Sequence, residues 1–292
     1  MNYKFSLEKG SRKYFCPKCG DKHSLTRYID THTGKYLGDF IGRCDHEISC
    51  KYHKSPKQAG IDNVSPRSYY PAAQEKKKTS FISFDLFNST LKFFSKNNFI
   101  KGLLSHFKPD IINTLIERYY IGTINDKVIF WQIDEKLRIR TGKIMSYDPL
   151  TLKRQGKPNW AHKHFKLNDF TLRQCLFGLH LINEVDPRTP ICIVEAEKTA
   201  IIMSGYYPEV KWMAAGALQH LNKEKLSPLV KHKVYLYPDI CAEKTWAKKT
   251  IGLSNINIVD WASALKVEAK GHESADLADF PHPNKRMPMP EA

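Results

Sequence analysis

Hydrophobic positions along the chain fall into three patterns, and each predicts a kind of element. The first is a short continuous apolar run. Ile191-Cys192-Ile193-Val194, ending in Glu195, and Val234-Tyr235-Leu236-Tyr237-Pro238, ending in Asp239, have the length and β-branched or aromatic content of buried parallel strands. Ala196 to Tyr206 has no breaker before Gly205 and predicts the helix after the first strand. Lys211-Trp212-Met213 predicts a further short strand, followed by a turn at Ala214-Ala215-Gly216-Ala217. The second pattern is helical. Leu86, Phe87, Thr90, Leu91 and Phe94 share a face over Phe84 to Lys96, and a second helix runs from Pro109 to Tyr120 with proline in its first turn. The third is alternation: Val128 to Ile133 predicts a strand, Asp134-Glu135 a turn, and Lys136 to Thr141 a return strand. In that return strand Lys136, Arg138 and Arg140 alternate with Leu137 and Ile139, giving a cationic face and a buried one.

Strand–helix–strand order predicts an α/β fold whose strands share one carboxyl edge, where ligands of open sheets bind. Glu195 and Asp239 should face one crevice there, and paired carboxylates suit a divalent metal. Cys175 and Cys192, within apolar runs, are expected in the core.

The N-terminal region carries different chemistry. Phe15-Cys16-Pro17-Lys18-Cys19-Gly20 has the composition of a zinc knuckle, and Cys44 and Cys50 follow after a gap that would hold a hairpin (Leu25 to Ile29, then Gly34 to Ile41). Four sulfurs would complete a tetrahedral structural zinc site. The Cys44-x5-Cys50 spacing is wide, so His46 and His53 stand as alternatives to one thiolate.

Charge then narrows the partners. Lys and Arg exceed Asp and Glu to give a formal net charge of +16, which points to a polyanion, foremost nucleic acid. Arg138, Arg140, Lys136 and Lys143 would track a phosphate backbone, with Lys153, Arg154 and Lys157 following in the next loop. Trp160 would stack on unpaired bases. His162 and His164 are weaker candidates for a phosphate contact. No apolar run is long enough to span a bilayer, the opening residues lack a signal-peptide core, and the expected compartment is the cytoplasm. Punctuation divides the chain into a zinc-ribbon module (1–55), a linker (56–80), a helical and basic β-hairpin subdomain (81–185) and an α/β domain (186–292). No GxxxxGK[ST] loop is present, so strand opening would require a separate helicase.

Val194-Glu195-Ala196-Glu197-Lys198-Thr199-Ala200 resembles the signature of toprim domains in phage and plasmid primase-like proteins. Val234 to Asp239 is similar to the strand carrying that family's DxD motif, and Gly271 to Phe280 is similar to its closing GxDxAD segment. The order of Val128 to Asp134, Arg140 to Asp148, Asn159 to His162 and Gln174 to Ile182 resembles an uncharacterised toprim-like family of bacterial mobile elements. The resemblance implies a toprim-type, Rossmann-like parallel sheet preceded by a mixed α+β basic subdomain and the zinc β-ribbon. It implies Mg²⁺ or Mn²⁺ at Glu195 and Asp239, Lys198 neutralising a phosphate, and metal-dependent nucleotidyl transfer from nucleotides on single-stranded DNA or RNA. The family's second DxD aspartate falls at Cys241, and thiolate is a poor ligand for Mg²⁺. A non-catalytic zinc-ribbon and toprim binding protein, and a toprim nuclease, are the alternatives. Asp276 and Asp279, three residues apart, would share a helix face as candidates for the missing carboxylate or as a simple acidic helix start.

Overall fold

The computed structural model describes residues 3–61, 78–184, 186, 188–264 and 275–280. Most of the expected linker, and residues 271–274 of the closing segment, lie outside the described residues. The chain divides into two compact units, Met1–Lys76 and Lys77–Ala292. Among the described residues no helix is long and apolar enough to cross a membrane.

The first unit is a four-stranded antiparallel sheet ordered β1 (Phe5–Leu7), β2 (Leu25–Asp30), β3 (Gly42–Cys44) and β4 (His53–Lys54), with a one-turn helix α1 (Glu47–Cys50) after β3. The expected return strand over Gly34 to Ile41 is mostly loop: Tyr36 bridges Ile29, but the ladder partner of β2 is β3. Its core consists of Cys16, Leu25, Cys44 and Cys50, flanked by Tyr14 and Tyr52. So few apolar side chains cannot offset the chain entropy of ordering, and such modules depend on metal or disulfides.

The second unit begins with α2 (Phe84–Ser89), α3 (Asn98–Leu103) and α4 (Pro109–Tyr119). The single helix expected over Phe84 to Lys96 is broken. Ser83 caps α2 by accepting from the Leu86 N–H, but the Ser89 and Thr90 hydroxyls donate back to the carbonyls of Leu86 and Phe87 at 2.7 Å. Those side chains satisfy the backbone outside a helix, and Asn97 then caps α3 afresh. α4 starts with Pro109 as expected and stops where Tyr120 turns left-handed (φ 49°).

An antiparallel sheet follows, ordered β5 (Gly122–Ile124), β6 (Lys127–Ile133), β7 (Ile139–Tyr147) and β8 (Arg154–Trp160), then the one-turn helix α5 (Ala161–His164). The return strand begins at Ile139, three residues later than its alternation suggests. Asp134 closes a wider turn by accepting from the backbone N–H groups of Lys136 and Arg138, and Leu137 sits exposed at φ 59°. The segment with Arg154 and Lys157, expected as a loop, is an edge strand. Its exposed face and Pro158 suit an unpaired border.

The parallel sheet contains β9 (Ile191–Val194), β10 (Lys211–Ala214), β11 (Val234–Leu236) and β12 (Ile256–Ile258), in the order β10-β9-β11-β12. Between them run α6 (Glu197–Tyr206), α7 (Lys223–Leu226) and α8 (Glu243–Thr250), and α9 (Trp261–Ala264) follows. Strand alternation sorts the side chains. Cys192 and Val194 join Trp212 in one cluster, whereas Ile191 and Ile193 join Met213, Leu236 and Trp246 in another. The first cluster also contains Phe99, Leu115, Phe130 and Tyr147, so residues 81–185 and the parallel sheet share one core. Cys175 and Cys192 are buried in it or beside it, as their apolar surroundings suggest.

Candidate functional site

The strand order reverses between β9 and β11: the chain leaves β9 to one side for β10 and returns to its other side for β11. A crevice opens at the carboxyl ends of strands at such a reversal. Glu195 follows β9 and Asp239 follows β11, so the fold delivers both carboxylates to this point. Each is held by backbone. Glu195 accepts from the Leu218 N–H. The loop bearing Asp239 is anchored by the Trp261 indole, which donates to the Pro238 carbonyl at 2.6 Å, and by Ile240 N–H, which donates to the Ala275 carbonyl.

Electrostatics at this edge are unfavourable without a cation. Burial pushes the Asp239 carboxyl up to about 8, with Glu195, Asp276 and Asp279 adding repulsion that Lys198 only partly offsets. Burial also raises Glu195. Asp276 and Asp279 cap a single 3-10 turn, Leu277–Asp279, rather than sharing the face of a longer helix. Asp276 accepts from Ala278 N–H and Asp279 accepts from Asp276 N–H in a reciprocal box. Lys198, the second residue of α6, has its Nζ 3.3 Å from Asp276 and 3.7 Å from Asp279, so its ammonium serves these carboxylates. Carboxylate oxygens are hard donors of the kind Mg²⁺ or Mn²⁺ takes. Cys241, two residues after Asp239, is exposed with φ 68°.

Sequence reasoning missed a polar cluster beside this edge. Lys143, grouped with the phosphate-tracking residues, instead reaches the parallel sheet. Its Nζ donates to Glu197 Oε2 at 2.9 Å and to the Gly216 carbonyl at 2.8 Å, and Glu197 is 2% exposed. Gly216 makes the turn after β10 at φ 91°, and a Cβ there would lie 3.3 Å from Glu197 Oε1. A lysine in mid-strand opposite a glutamate 54 residues later carries no local signal of pairing.

The other basic positions separate likewise. Arg138 and Arg140 both donate to the buried Asp134 carboxylate, at 2.9 and 2.7 Å, and both guanidinium groups stack over Phe81. Burial opposes ionisation of Asp134, but the backbone N–H groups and these two guanidinium groups hold it below the usual carboxylate range. Lys136 is exposed at the turn. Trp160 is half-buried at the end of β8, opposite Lys143 in register, while Lys153, Arg154 and Lys157 are exposed. His162 is buried, with its Nδ1 3.0 Å from the Thr141 hydroxyl, and His164 packs edge-on against Phe165.

In the first unit, the ligand atoms of Cys16, Cys19, Cys44 and Cys50 all lie within 4.8 Å of one another. Among the described residues they are the sole group of three or more acidic, histidine or cysteine side chains gathered that closely. Cys16 and Cys50 sulfurs are 3.7 Å apart and those of Cys19 and Cys44 3.8 Å. A zinc ion with Zn–S bonds of about 2.3 Å needs a tetrahedral edge of about 3.8 Å, so the four thiolates fit zinc. Burial and the three neighbouring sulfurs push the Cys50 thiol up to about 12, and such a set ionises together only around a cation. His46 Nδ1 lies 4.0 Å from the Cys19 sulfur at the border of the cluster. His53 is engaged elsewhere, stacked on Tyr28 and 3.0 Å from its hydroxyl.

Two families match this chain in separate stretches: a zinc beta-ribbon finger over residues 3–65, and a domain of unknown function (DUF6371) over residues 97–240. No curated protein matches. Solved structures similar to it include the primase fragment of the bacteriophage T7 primase-helicase protein, at 11% identity, a TM-score of 0.41, and coverage of 90% of this chain and 98% of that one. The Aquifex aeolicus primase with its zinc-binding and RNA polymerase domains is similar at 13% identity and a TM-score of 0.32, over 52% of this chain and 42% of that one. The DnaG primase catalytic domain bound to single-stranded DNA is similar at 15% identity and a TM-score of 0.32, over 53% and 52% respectively. The chain spans about half the length or less of these two.

Proposed function

We propose that this protein is a primase-like enzyme of a mobile element, carrying out metal-dependent nucleotidyl transfer on a single-stranded DNA template through a toprim-type sheet. The observation that carries the reading is that Glu195 and Asp239 follow the two adjacent strands at the reversal point of a parallel sheet, with burial first and Glu195 next raising the Asp239 carboxyl to about 8. Two carboxylates held against their own repulsion constitute a site that a divalent cation completes.

In this reading Glu195 and Asp239 hold Mg²⁺ or Mn²⁺. The bound ion supplies orientation of nucleotide phosphates and charge stabilisation at the reacting phosphorus. Asp239 gives up its proton as the site fills. Lys198, between Asp276 and Asp279, keeps the surplus negative charge in balance and shares its ammonium with an arriving phosphate. The exposed cations Lys153, Arg154, Lys157 and Lys136 draw in the template backbone, and Trp160 offers a stacking face. Arg138 and Arg140 add to that field while shared with Asp134. The zinc unit holds single-stranded template, and strand opening comes from a separate helicase.

A second reading has a specific observation in its favour. Cys241 stands where a second hard ligand would complete the pair, which favours a non-catalytic protein that binds nucleic acid. One assay separates the two: synthesis from labelled ribonucleotides on single-stranded DNA, with and without Mg²⁺ or Mn²⁺. Metal-dependent product that disappears in Asp239→Asn is the expected result. Tight binding without product supports the second reading, and metal-dependent cleavage of the template without nucleotides would identify a nuclease.

A further inference from the structure

Away from the carboxylate edge, a cavity of about 190 Å³ lies between the start of β7, residues 173–179 and α7. Arg140, Arg173, Cys175, Glu224 and Lys225 are among the side chains that line it, and neither Glu195 nor Asp239 does. Lys225 is the unusual member. It is 7% exposed on a four-residue helix, and among the described residues its Nζ has one hydrogen-bond partner, the Ala215 carbonyl at 3.1 Å. Among the described residues no carboxylate lies within ion-pair distance of it. An ammonium has three donors, and a buried cation with one neutral acceptor is costly to keep.

The charges around the cavity do not cancel. Glu224 is paired with Arg173 at the surface. Asp134, just behind the wall, is a single carboxylate divided between Arg138 and Arg140. Among the charged side chains that line the cavity, Arg140, Arg173 and Lys225 meet Glu135 and Glu224, which leaves one positive charge over; the neighbouring Asp134–Arg138 and Glu197–Lys143 pairs add none. A methionine would fill the place of the Lys225 stem without that penalty. Burial, with Lys143 adding repulsion that Cys175 and Glu197 offset in part, depresses the Lys225 ammonium to about 8.

We propose that this cavity binds a small tetrahedral oxyanion of the phosphate class, held by Lys225 with Arg140 and Arg173. The guanidinium fork of Arg140, oriented by Asp134, and Lys225 both line the cavity and bring charge-assisted donors to it. The pocket is large enough for one such group and too small for a nucleotide. The proposal stands independently of nucleotidyl transfer at Glu195 and Asp239.

The test uses the full-length zinc-loaded chain in buffer free of Mg²⁺ and Mn²⁺. Thermal midpoints are measured with inorganic phosphate, with sulfate, and with sodium chloride at matched ionic strength, and phosphate affinity is measured by calorimetry. A larger rise with phosphate than with chloride is expected, and Lys225→Met should weaken phosphate binding about tenfold or more, as loss of a charge-assisted contact implies. Arg173→Ala, at the exposed mouth, should weaken it by a smaller factor and serves if Lys225→Met does not fold. Sulfate matching phosphate would mark a general oxyanion site and still support the proposal. No excess of phosphate over chloride, or unchanged affinity in the folded variants, would overturn it.

Discussion

Replacing Asp239 by asparagine should change the pH dependence of stability in a way that few other substitutions can. The carboxyl is displaced from 3.8 to about 8 by burial and by Glu195, Asp276 and Asp279, and at roughly 1.4 kcal/mol per pH unit the metal-free protein ionises it at a cost on the order of 5 kcal/mol. The folded carboxyl keeps its proton to higher pH than the unfolded one. Its contribution is therefore fully present below about pH 4 and is lost as pH rises towards 8. Urea denaturation from pH 5 to 9 in metal-depleted buffer should show the wild type losing stability relative to Asp239→Asn across that window. Adding Mg²⁺ or Mn²⁺ should restore the wild type at pH 8 and leave the variant unmoved, because binding to the folded state alone is stabilising. Subtracting the two profiles removes the titrating groups that do not interact with Asp239. Parallel profiles, or an equal response to metal, would refute the reasoning and with it the metal edge.

Zinc content should be one ion per chain, lost in Cys50→Ser and retained in His53→Ala, as elemental analysis of purified variants will measure. Lys143→Met should destabilise by about 3–5 kcal/mol, since it strands the buried Glu197 carboxylate; the double variant with Glu197→Gln should recover most of that in the same denaturation assay. Arg154→Ala and Lys157→Ala should leave the thermal midpoint unchanged while weakening single-stranded DNA binding, each flattening the salt slope by about one.

Patterns of period two and runs of apolar residues were enough to place β9, α6, β10 and β11, because burial on both faces of a parallel sheet leaves an unbroken signature. From that placement it follows that Glu195 and Asp239 come after adjacent parallel strands, at the same edge of the sheet. The four cysteines were legible for a similar reason: thiolate chemistry is rare and its spacing is local. What stayed hidden depends on partners far along the chain. Asp134 reads as an ordinary turn aspartate, and nothing near it announces a fully buried carboxylate shared by two arginines. Lys143 reads as one more cation in a basic strand, although its partner, Glu197, opens α6 beside the other sheet. The break in the helix after Ser89 was written in the sequence, in three consecutive poor helix formers, but an apolar stripe overshadowed it.

The hydrogen bond from the Trp261 indole to the Pro238 carbonyl has an optical consequence. Trp131, Trp212 and Trp246 are also fully buried; Trp212 packs on Tyr237 at the start of the same loop, but Trp261 is the one whose indole N–H bonds that loop's backbone. Ionisation of Asp239 or occupancy of its site alters the field at the indole bonded to its loop, so the chain carries its own fluorescent reporter. Emission that shifts with Mn²⁺ or Mg²⁺ in the wild type, and stays fixed in Trp261→Phe, would follow the site without a label and without turnover.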